Sequence, residues 1–240
     1  MTRHILLAKH ALKNMNSILS ASLILISTHL FGQQWPEYRV DSTLTVRIPE
    51  NIVVLDTLGQ HILRAQIDNA LIMIQRLPNT GEQAASIQSK NDLIDNYKGF
   101  QRGLVESQKG KLKNQKIFQK DGLELIHFSY YATRGEEQQL RHCLTVFING
   151  AWYSVHFWEL ATMTDELAEE REQLFSSVTF PPGVNLKNQM SASIEGSRMY
   201  NRGFLIGKTL GYILMLVLAV VSAIWISRAV NRKTRHPKQI

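Results

Sequence analysis

The single cysteine of this 240-residue chain is followed, thirteen positions later, by a histidine that a hairpin would bring beside it. Cys143 and His156 lie in the runs QLRHCLTVFI and AWYSVHFWEL, which Asn149-Gly150 separates. Asn-Gly between two apolar runs favours a two-residue hairpin turn, because both of its residues accept a positive φ. Such a turn places Cys143 directly opposite His156, on one face of the hairpin.

A thiol and an imidazole in this position are compatible with three kinds of chemistry. They could be two ligands of a soft metal ion, with His127 on the preceding strand as a further ligand. They could also form a thiol activated by a base, although no orienting group for a nucleophile is evident. The third interpretation, which we favour, is a buried thiol beside a packed, hydrogen-bonded imidazole. No cofactor is expected. A lone cysteine also excludes an internal disulfide, so the fold depends on its core.

The same hairpin face carries a row of aromatic rings, Trp152, His156 and Trp158. This row could line a ligand groove, or it could pack beneath a helix. Both faces of the hairpin are too apolar to be freely solvated. We therefore predict that other elements cover both of them.

A stripe of small residues near the end of the chain could mediate helix association. Gly203, Gly207 and Gly211 follow one another at four-residue spacing, which places them on one side of a helix. Small residues on a helix allow a second helix to approach closely. The stripe predicts self-association or docking on another spanning helix; the alternative is the ordinary use of glycine in membrane spans.

These glycines begin an apolar run that is long enough to cross a membrane. From Leu205 to Ser227 the only charged residue is Lys208. Roughly 20 helical residues span the hydrocarbon core of a bilayer. We therefore predict a transmembrane helix over 203–227. The tail over 228–240 carries five basic side chains, which is typical of a cytoplasmic flank.

A second, shorter apolar run lies at the start of the chain. Residues 1–32 combine three basic side chains with the run SILSASLILISTHLFG, a pattern typical of a secretory signal peptide. The alternative is a first anchor that is not cleaved. Both interpretations place the following domain outside the cytoplasm. The protein is thus predicted to be a single-pass protein of the cell membrane with an extracytoplasmic, periplasmic-type domain.

The formal net charge of +7 does not indicate nucleic-acid binding. Residues 1–32 carry +3 and residues 183–240 carry +8, whereas residues 33–182 carry −4. A nucleic-acid-binding domain would carry its basic patch on the folded part. One basic cluster, KGKLKNQK, lies within that part. We interpret it as a solvated hairpin, with an acidic partner or an anionic lipid surface as the alternative.

Hydrophobic periodicity predicts an α+β domain over 33–182, with helices packed on the faces of an antiparallel sheet. Three strands are expected first, and a turn at Asp68-Asn69 separates the second from the third. A helix over 82–105, a hairpin over 103–122 and three further strands follow, and a helix that Thr164 caps closes the domain with VTFPP. The polar residues 183–202 show no period and are predicted to form a linker.

Several of these features resemble the PsbP/DcrB-like group of extracytoplasmic domains. They are VRIPE with Ile48-Pro49, Gly150 with Tyr153, and the closing residues Phe175 to Phe180. The resemblance covers about 40–182. It implies an antiparallel sheet with helices on both faces and a binding or accessory role without a shared catalytic motif. It carries over no functional residue, and the C-terminal anchor is a departure from the group.

The sequence therefore predicts a membrane-anchored binding or accessory protein without catalytic activity. Its partners would be the membrane and a protein of the envelope, or a second copy bound through the spanning helix, but not nucleic acid. The alternative is a small metal-binding or redox protein that uses Cys143 and His156.

Overall fold

The computed structural model describes residues 35–57, 60–80, 84–191 and 203–216. The chain divides into two compact units, Met1–Pro36 and Glu37–Ile240, and every element below belongs to the second. The predicted signal peptide, residues 192–202 of the predicted linker, the second half of the predicted span and the basic tail lie outside the described residues.

The second unit contains nine described strands and three described helices. The strands are β1 (Glu37–Arg39), β2 (Thr45–Arg47), β3 (Val53–Thr57), β4 (Gln60–Ile67), β5 (Ala70–Pro78), β6 (Lys111–Lys120), β7 (Leu123–Arg134), β8 (Glu137–Ile148) and β9 (Ala151–Leu160). The helices are α1 (Lys90–Ser107), α2 (Ala168–Ser176) and α3, which covers residues 203–216.

Seven of the strands form one antiparallel sheet in the order β3-β4-β5-β9-β8-β7-β6, and β1 pairs with β2 apart from it. The sheet consists of two meanders, β3 to β5 and β6 to β9, which α1 connects and which join where β9 pairs with β5. The predicted α+β class with an antiparallel sheet is confirmed. Antiparallel neighbours need only tight turns, and both Asp68 and Asn149 adopt a positive φ at such turns.

The two faces of the sheet are covered by different elements. On one face, here called the α1 face, α1 packs over the aromatic core, and the ring of Phe100 stacks on that of Trp152 with 5.5 Å between centroids. On the opposite face, here called the α2 face, the ring of Phe175 lies 4.7 Å from that of His127. Both faces of the β8–β9 hairpin are thus buried, as its composition predicts.

Three predicted elements are corrected. α1 begins at Lys90 rather than near residue 82, because Ser89 caps it by accepting a hydrogen bond from the Asp92 amide. The hairpin over 103–122 is wrong: residues 103–107 end α1, and β6 is one continuous strand. Its turn comes later, at Asp121-Gly122, where both residues have a positive φ. Finally, α2 begins at Ala168 after a 3₁₀ turn, and no side chain caps it.

The first nine residues of the predicted linker belong to the folded body. Gln189 is fully buried, and its amide nitrogen donates to Tyr97 Oη, to the Glu124 carbonyl and to the Phe147 carbonyl at 2.9–3.1 Å. Its own oxygen accepts from the Glu124 amide at 2.8 Å. A polar segment without periodicity can therefore be ordered, because one glutamine satisfies several buried groups that strands leave without partners.

α3 begins at the start of the predicted transmembrane segment. Ile206, Leu210 and Leu214 are buried in the same cluster as Phe100 and Leu104. Within the residues that the structure describes, no helix has both the length and the apolar character that a membrane span requires.

Candidate functional site

The β8–β9 hairpin has the register that its turn predicts. Asn149 and Gly150 have φ values of 50° and 71°, and Cys143 is the Cα partner of His156. Both side chains are fully buried on the α1 face. Their closest hydrogen-bonding neighbours lie on their own strands, Thr145 Oγ1 at 3.3 Å from the sulfur and Ser154 Oγ at 3.0 Å from His156 Nε2.

Burial keeps both groups uncharged at neutral pH. It raises the pKa of the Cys143 thiol to about 12, against a smaller opposing effect of the Thr145 hydroxyl. Burial, helped by the nearby positive charge of Arg141, lowers the pKa of His156 to about 3. The thiolate is the nucleophilic and metal-binding form of cysteine, so this environment favours a packed thiol.

The third candidate ligand, His127, lies on the opposite face of the sheet. It is the Cα partner of Leu144, one residue out of phase with Cys143, and its ring packs between Phe175 and His142 on the α2 face. Burial first, and then the positive charges around it, lower its pKa to about 4. Cys143, His156 and His127 therefore do not converge. Among the described residues, no group of three potential ligands could hold a metal ion.

The folded protein is expected to protect Cys143 from thiol reagents. At pH 8 a disulfide reagent such as DTNB should leave the native chain unmodified and should modify one thiol per chain after unfolding in guanidinium, because burial raises the thiol pKa to about 12. A Cys143→Ser variant, which has no thiol, gives the background signal of the labelling reaction. Rapid labelling of the native chain would contradict this environment, as would stoichiometric copper or zinc that the same variant loses.

A charged residue that the sequence analysis passed over lies beside this pair. Arg141 is only 1% exposed, although arginine is rarely buried without an acidic partner. Its Nε and Nη2 donate to Gln139 Oε1 at 3.0 and 2.7 Å, and its guanidinium stacks on Trp158, 3.9 Å from the ring centroid. Its Nη1 is buried and has no hydrogen-bond partner.

A buried acid on the other face of the sheet, in contrast, has a partner of opposite charge. Glu159 is fully buried on the α2 face, and Arg171 Nη1 donates to both of its carboxylate oxygens at 2.7 and 2.9 Å. His142 lies 3.3 Å from the same carboxylate. Glu159 is therefore matched by opposite charge, whereas Arg141 has only a neutral amide and an indole.

A small open cavity, here called the arginine pocket, lies at the end of the sheet beside the two residues that hold Arg141. Its volume is about 220 Å³, and its lining includes Arg64, Leu71, Arg134, Gln139, Trp158 and Leu160. The strand register places these side chains on the α1 face, since Leu71, Trp158 and Arg141 are successive Cα partners across β5, β9 and β8. The two residues that hold Arg141, Gln139 and Trp158, thus form part of the pocket wall.

Two arginines, Arg64 and Arg134, and two acids, Asp68 and Glu137, line this pocket. Burial and the charge of Arg134 lower the pKa of both Arg64 and Arg141. Tyr130 opposes this effect at Arg141 by raising its pKa. Two donors at the pocket are buried without a hydrogen-bond partner, Arg64 Nε and Trp158 Nε1. The acids that line the pocket, Asp68 and Glu137, are exposed at its rim. The sequence signal for this site is an arginine on the same strand face as Cys143 and Phe147.

The two tryptophans of the predicted aromatic row have different surroundings. Trp152 lies beneath α1, stacked on Phe100 and 5.3 Å from Phe147. Trp158 is mostly buried but lines the arginine pocket. Packing beneath a helix therefore describes Trp152, whereas Trp158 lies at the wall of a cavity.

The glycine stripe packs against α1 of the same chain. A Cβ atom added to Gly203 or Gly207 would lie 2.2 or 2.0 Å from the carbonyl oxygen of Asn96 or Phe100. Gly103 of α1 faces the stripe in turn, with the Phe204 carbonyl oxygen 2.0 Å from its added Cβ, and Gly211 lies against Ser107. The stripe thus lies against α1 of the same chain. Its association with a second spanning helix stays a prediction.

No family model matches the chain, and no curated protein sequence matches it. Solved structures similar to it include the PsbP protein CyanoP of Synechocystis, with 12% identity over 63% of this chain and 95% of that chain and a TM-score of 0.47. A protein of unknown function from Pseudomonas aeruginosa has 13% identity over 62% and 99%, with a TM-score of 0.40. The Ran-binding protein Mog1p of Saccharomyces cerevisiae has 8% identity over 65% and 98%, also at 0.40. The group that the sequence resembles is thus found among them, and these similarities concern the fold alone.

Proposed function

We propose that the protein is a non-catalytic binding or accessory protein that the apolar run near its C-terminus anchors to a membrane, with the sheet domain outside the cytoplasm. The observation that carries the binding role is the arginine pocket, where buried donors without hydrogen-bond partners lie beside an open cavity. The candidate for redox or metal chemistry is a buried thiol and a neutral imidazole, whose third ligand lies on the other face of the sheet. Binding therefore accounts for the arrangement better than catalysis.

Two observations support the membrane anchor. The run from Leu205 to Ser227 matches the thickness of a bilayer in length. Even where α3 packs on the domain, its outward side remains apolar, with Tyr212 55% and Leu216 61% exposed. Large apolar side chains that face outward on a surface helix favour contact with lipid or with a partner.

The docked α3 and a complete span use the same residues. Eleven residues, 217–227, remain of the predicted run after the described part of α3. At about 1.5 Å per residue they would cover about 16 Å, roughly half of the hydrocarbon core. Ile206, Leu210 and Leu214 cannot contact α1 and lipid at once. In our proposal, a full span therefore requires α3 to leave α1.

The full-length protein is expected to remain with the membrane pellet after carbonate extraction and to require detergent for release. Added protease should digest its domain in spheroplasts, together with a periplasmic control, and should spare a cytoplasmic control. A variant that ends after residue 202 is the matched control and should be released as a soluble product. Recovery of the full-length protein in the soluble fraction, or a protected domain, would overturn the anchored topology.

A further inference from the structure

We propose that the arginine pocket binds the oxyanion group, a phosphate or a carboxylate, of a small ligand, with Arg64 and the indole N–H of Trp158 as donors and Arg141 as a charge beneath them. This inference rests on the proposed binding role and specifies its ligand class.

Three buried donors at and beside the pocket, Arg64 Nε, Trp158 Nε1 and Arg141 Nη1, have no hydrogen-bond partner. Taking a guanidinium out of water costs several kcal/mol unless an opposite charge or a full set of acceptors compensates. For Arg141 the described residues supply one amide oxygen and one aromatic face, and Nη1 remains without an acceptor. Arg64 likewise has a buried Nε without an acceptor. A bound oxyanion would compensate these charges together.

The donor types agree with the same ligand class. Arginine presents several N–H groups in a planar fork that matches carboxylate and phosphate oxygens. The Trp158 indole can only donate, and its nitrogen is buried without an acceptor in a residue that lines the pocket. The two buried atoms without hydrogen-bond partners among the described lining residues, Arg64 Nε and Trp158 Nε1, are both donors. The missing group is therefore an acceptor, and a negative charge on it would also compensate the buried Arg141.

The size and the rim of the pocket limit the ligand further. Its volume of about 220 Å³ lies below the range of about 300–1,000 Å³ that is usual for drug-sized ligands. Leu71 and Leu160 add apolar wall, and the exposed Asp68 and Glu137 stand at the rim. The pocket therefore suits a small anion or the charged end of a longer molecule, and the rim acids disfavour a ligand that is anionic throughout.

The test uses the purified full-length chain in a non-ionic detergent, titrated by calorimetry with inorganic phosphate, with glycerol phosphate as a soluble lipid headgroup, and with succinate. Saturable binding of one of these is expected, weakened at least tenfold in Arg64→Gln. The Arg39→Gln variant makes the same change on β1, away from the pocket, and should bind normally. Preference for glycerol phosphate would indicate a lipid source, and preference for phosphate or succinate a soluble one.

Arg141→Met separates a binding role from a structural one. If Arg141 is held for a ligand, this variant should lose binding and melt at the same or a higher temperature than the native chain in anion-free buffer, because an uncompensated buried charge is removed. A lower melting temperature with unchanged binding would overturn the proposal, and so would equal binding by Arg64→Gln, or no binding at millimolar concentrations. None of these results alters the membrane fractionation, which tests the anchored topology independently.

Discussion

Replacing Gly207 by leucine is expected to release α3 from α1. The Cβ atom alone would lie 2.0 Å from the Phe100 carbonyl oxygen and 2.9 Å from the Leu104 amide nitrogen, and neither backbone atom can yield without breaking the helix. Separation of the helices would expose Ile206, Leu210 and Leu214. At about 1.5–3 kcal/mol for each buried side chain, docking would lose on the order of 5–9 kcal/mol.

Hydrogen–deuterium exchange of the purified full-length chain measures this release. Amides of 203–216, and those of α1 that face them, should lose protection in Gly207→Leu. Thr209→Leu places a leucine at an exposed position of the same helix and should keep the native protection. If the native chain and Gly207→Leu exchange alike over 96–107, the contact between α1 and α3 is not the dominant state, and the argument that docking and spanning compete would fail.

Replacing Arg171 by alanine is expected to give the largest loss of stability that we predict for a single polar contact. Its guanidinium neutralises Glu159, whose side chain is fully buried, and it also donates to the Thr164 carbonyl at 3.0 Å. Removing one partner of a buried pair leaves an uncompensated charge and costs about 3–5 kcal/mol. His142, 3.3 Å from the same carboxylate, would compensate only in its protonated form.

Chemical denaturation of the purified chain at pH 7.5 measures this loss. Lys98→Ala breaks an exposed pair with Asp95, 3.9 Å apart on α1, and should change the unfolding free energy by no more than about 1 kcal/mol. Combining Arg171→Met with Glu159→Leu should recover most of the lost stability, because both charges are then absent. A loss for Arg171→Ala no greater than that for Lys98→Ala would show that the buried pair contributes little.

The elements that sequence reasoning predicted well are those whose signals are local. The Asn149-Gly150 turn placed Cys143 opposite His156, and Asp68-Asn69 placed the turn between β4 and β5. In both cases four or five residues contain the information, because turn chemistry and the alternation of a strand act over that length. The hairpin predicted over 103–122 is wrong because its basic residues directly follow helix α1. The glycines near the end of that helix obscured where it ends.

The candidate site was less predictable, because its parts come from strands distant in sequence. His127 was a possible third ligand only while the β7–β8 register was open. The turn there is Gly135-Glu136, with Gly135 at a positive φ, and it makes Arg134 the partner of Glu137. Counting from that pair places His127 on the α2 face. The sequence has no recognisable turn dipeptide here, so it did not determine the register between β7 and β8. A shift of one residue in that register moves every side chain to the other face of the sheet.

By itself the sequence determined the α+β class, the register of the central hairpin and the segregation of charge into an acidic body with basic ends. These properties depend on composition and on neighbours within a few positions. Only the tertiary structure decided that Arg141 is buried without an acid, that Gln189 joins the core and that the glycine stripe lies against α1. Each of these depends on which group from a distant strand or helix comes within hydrogen-bond or contact distance, and no local pattern encodes that.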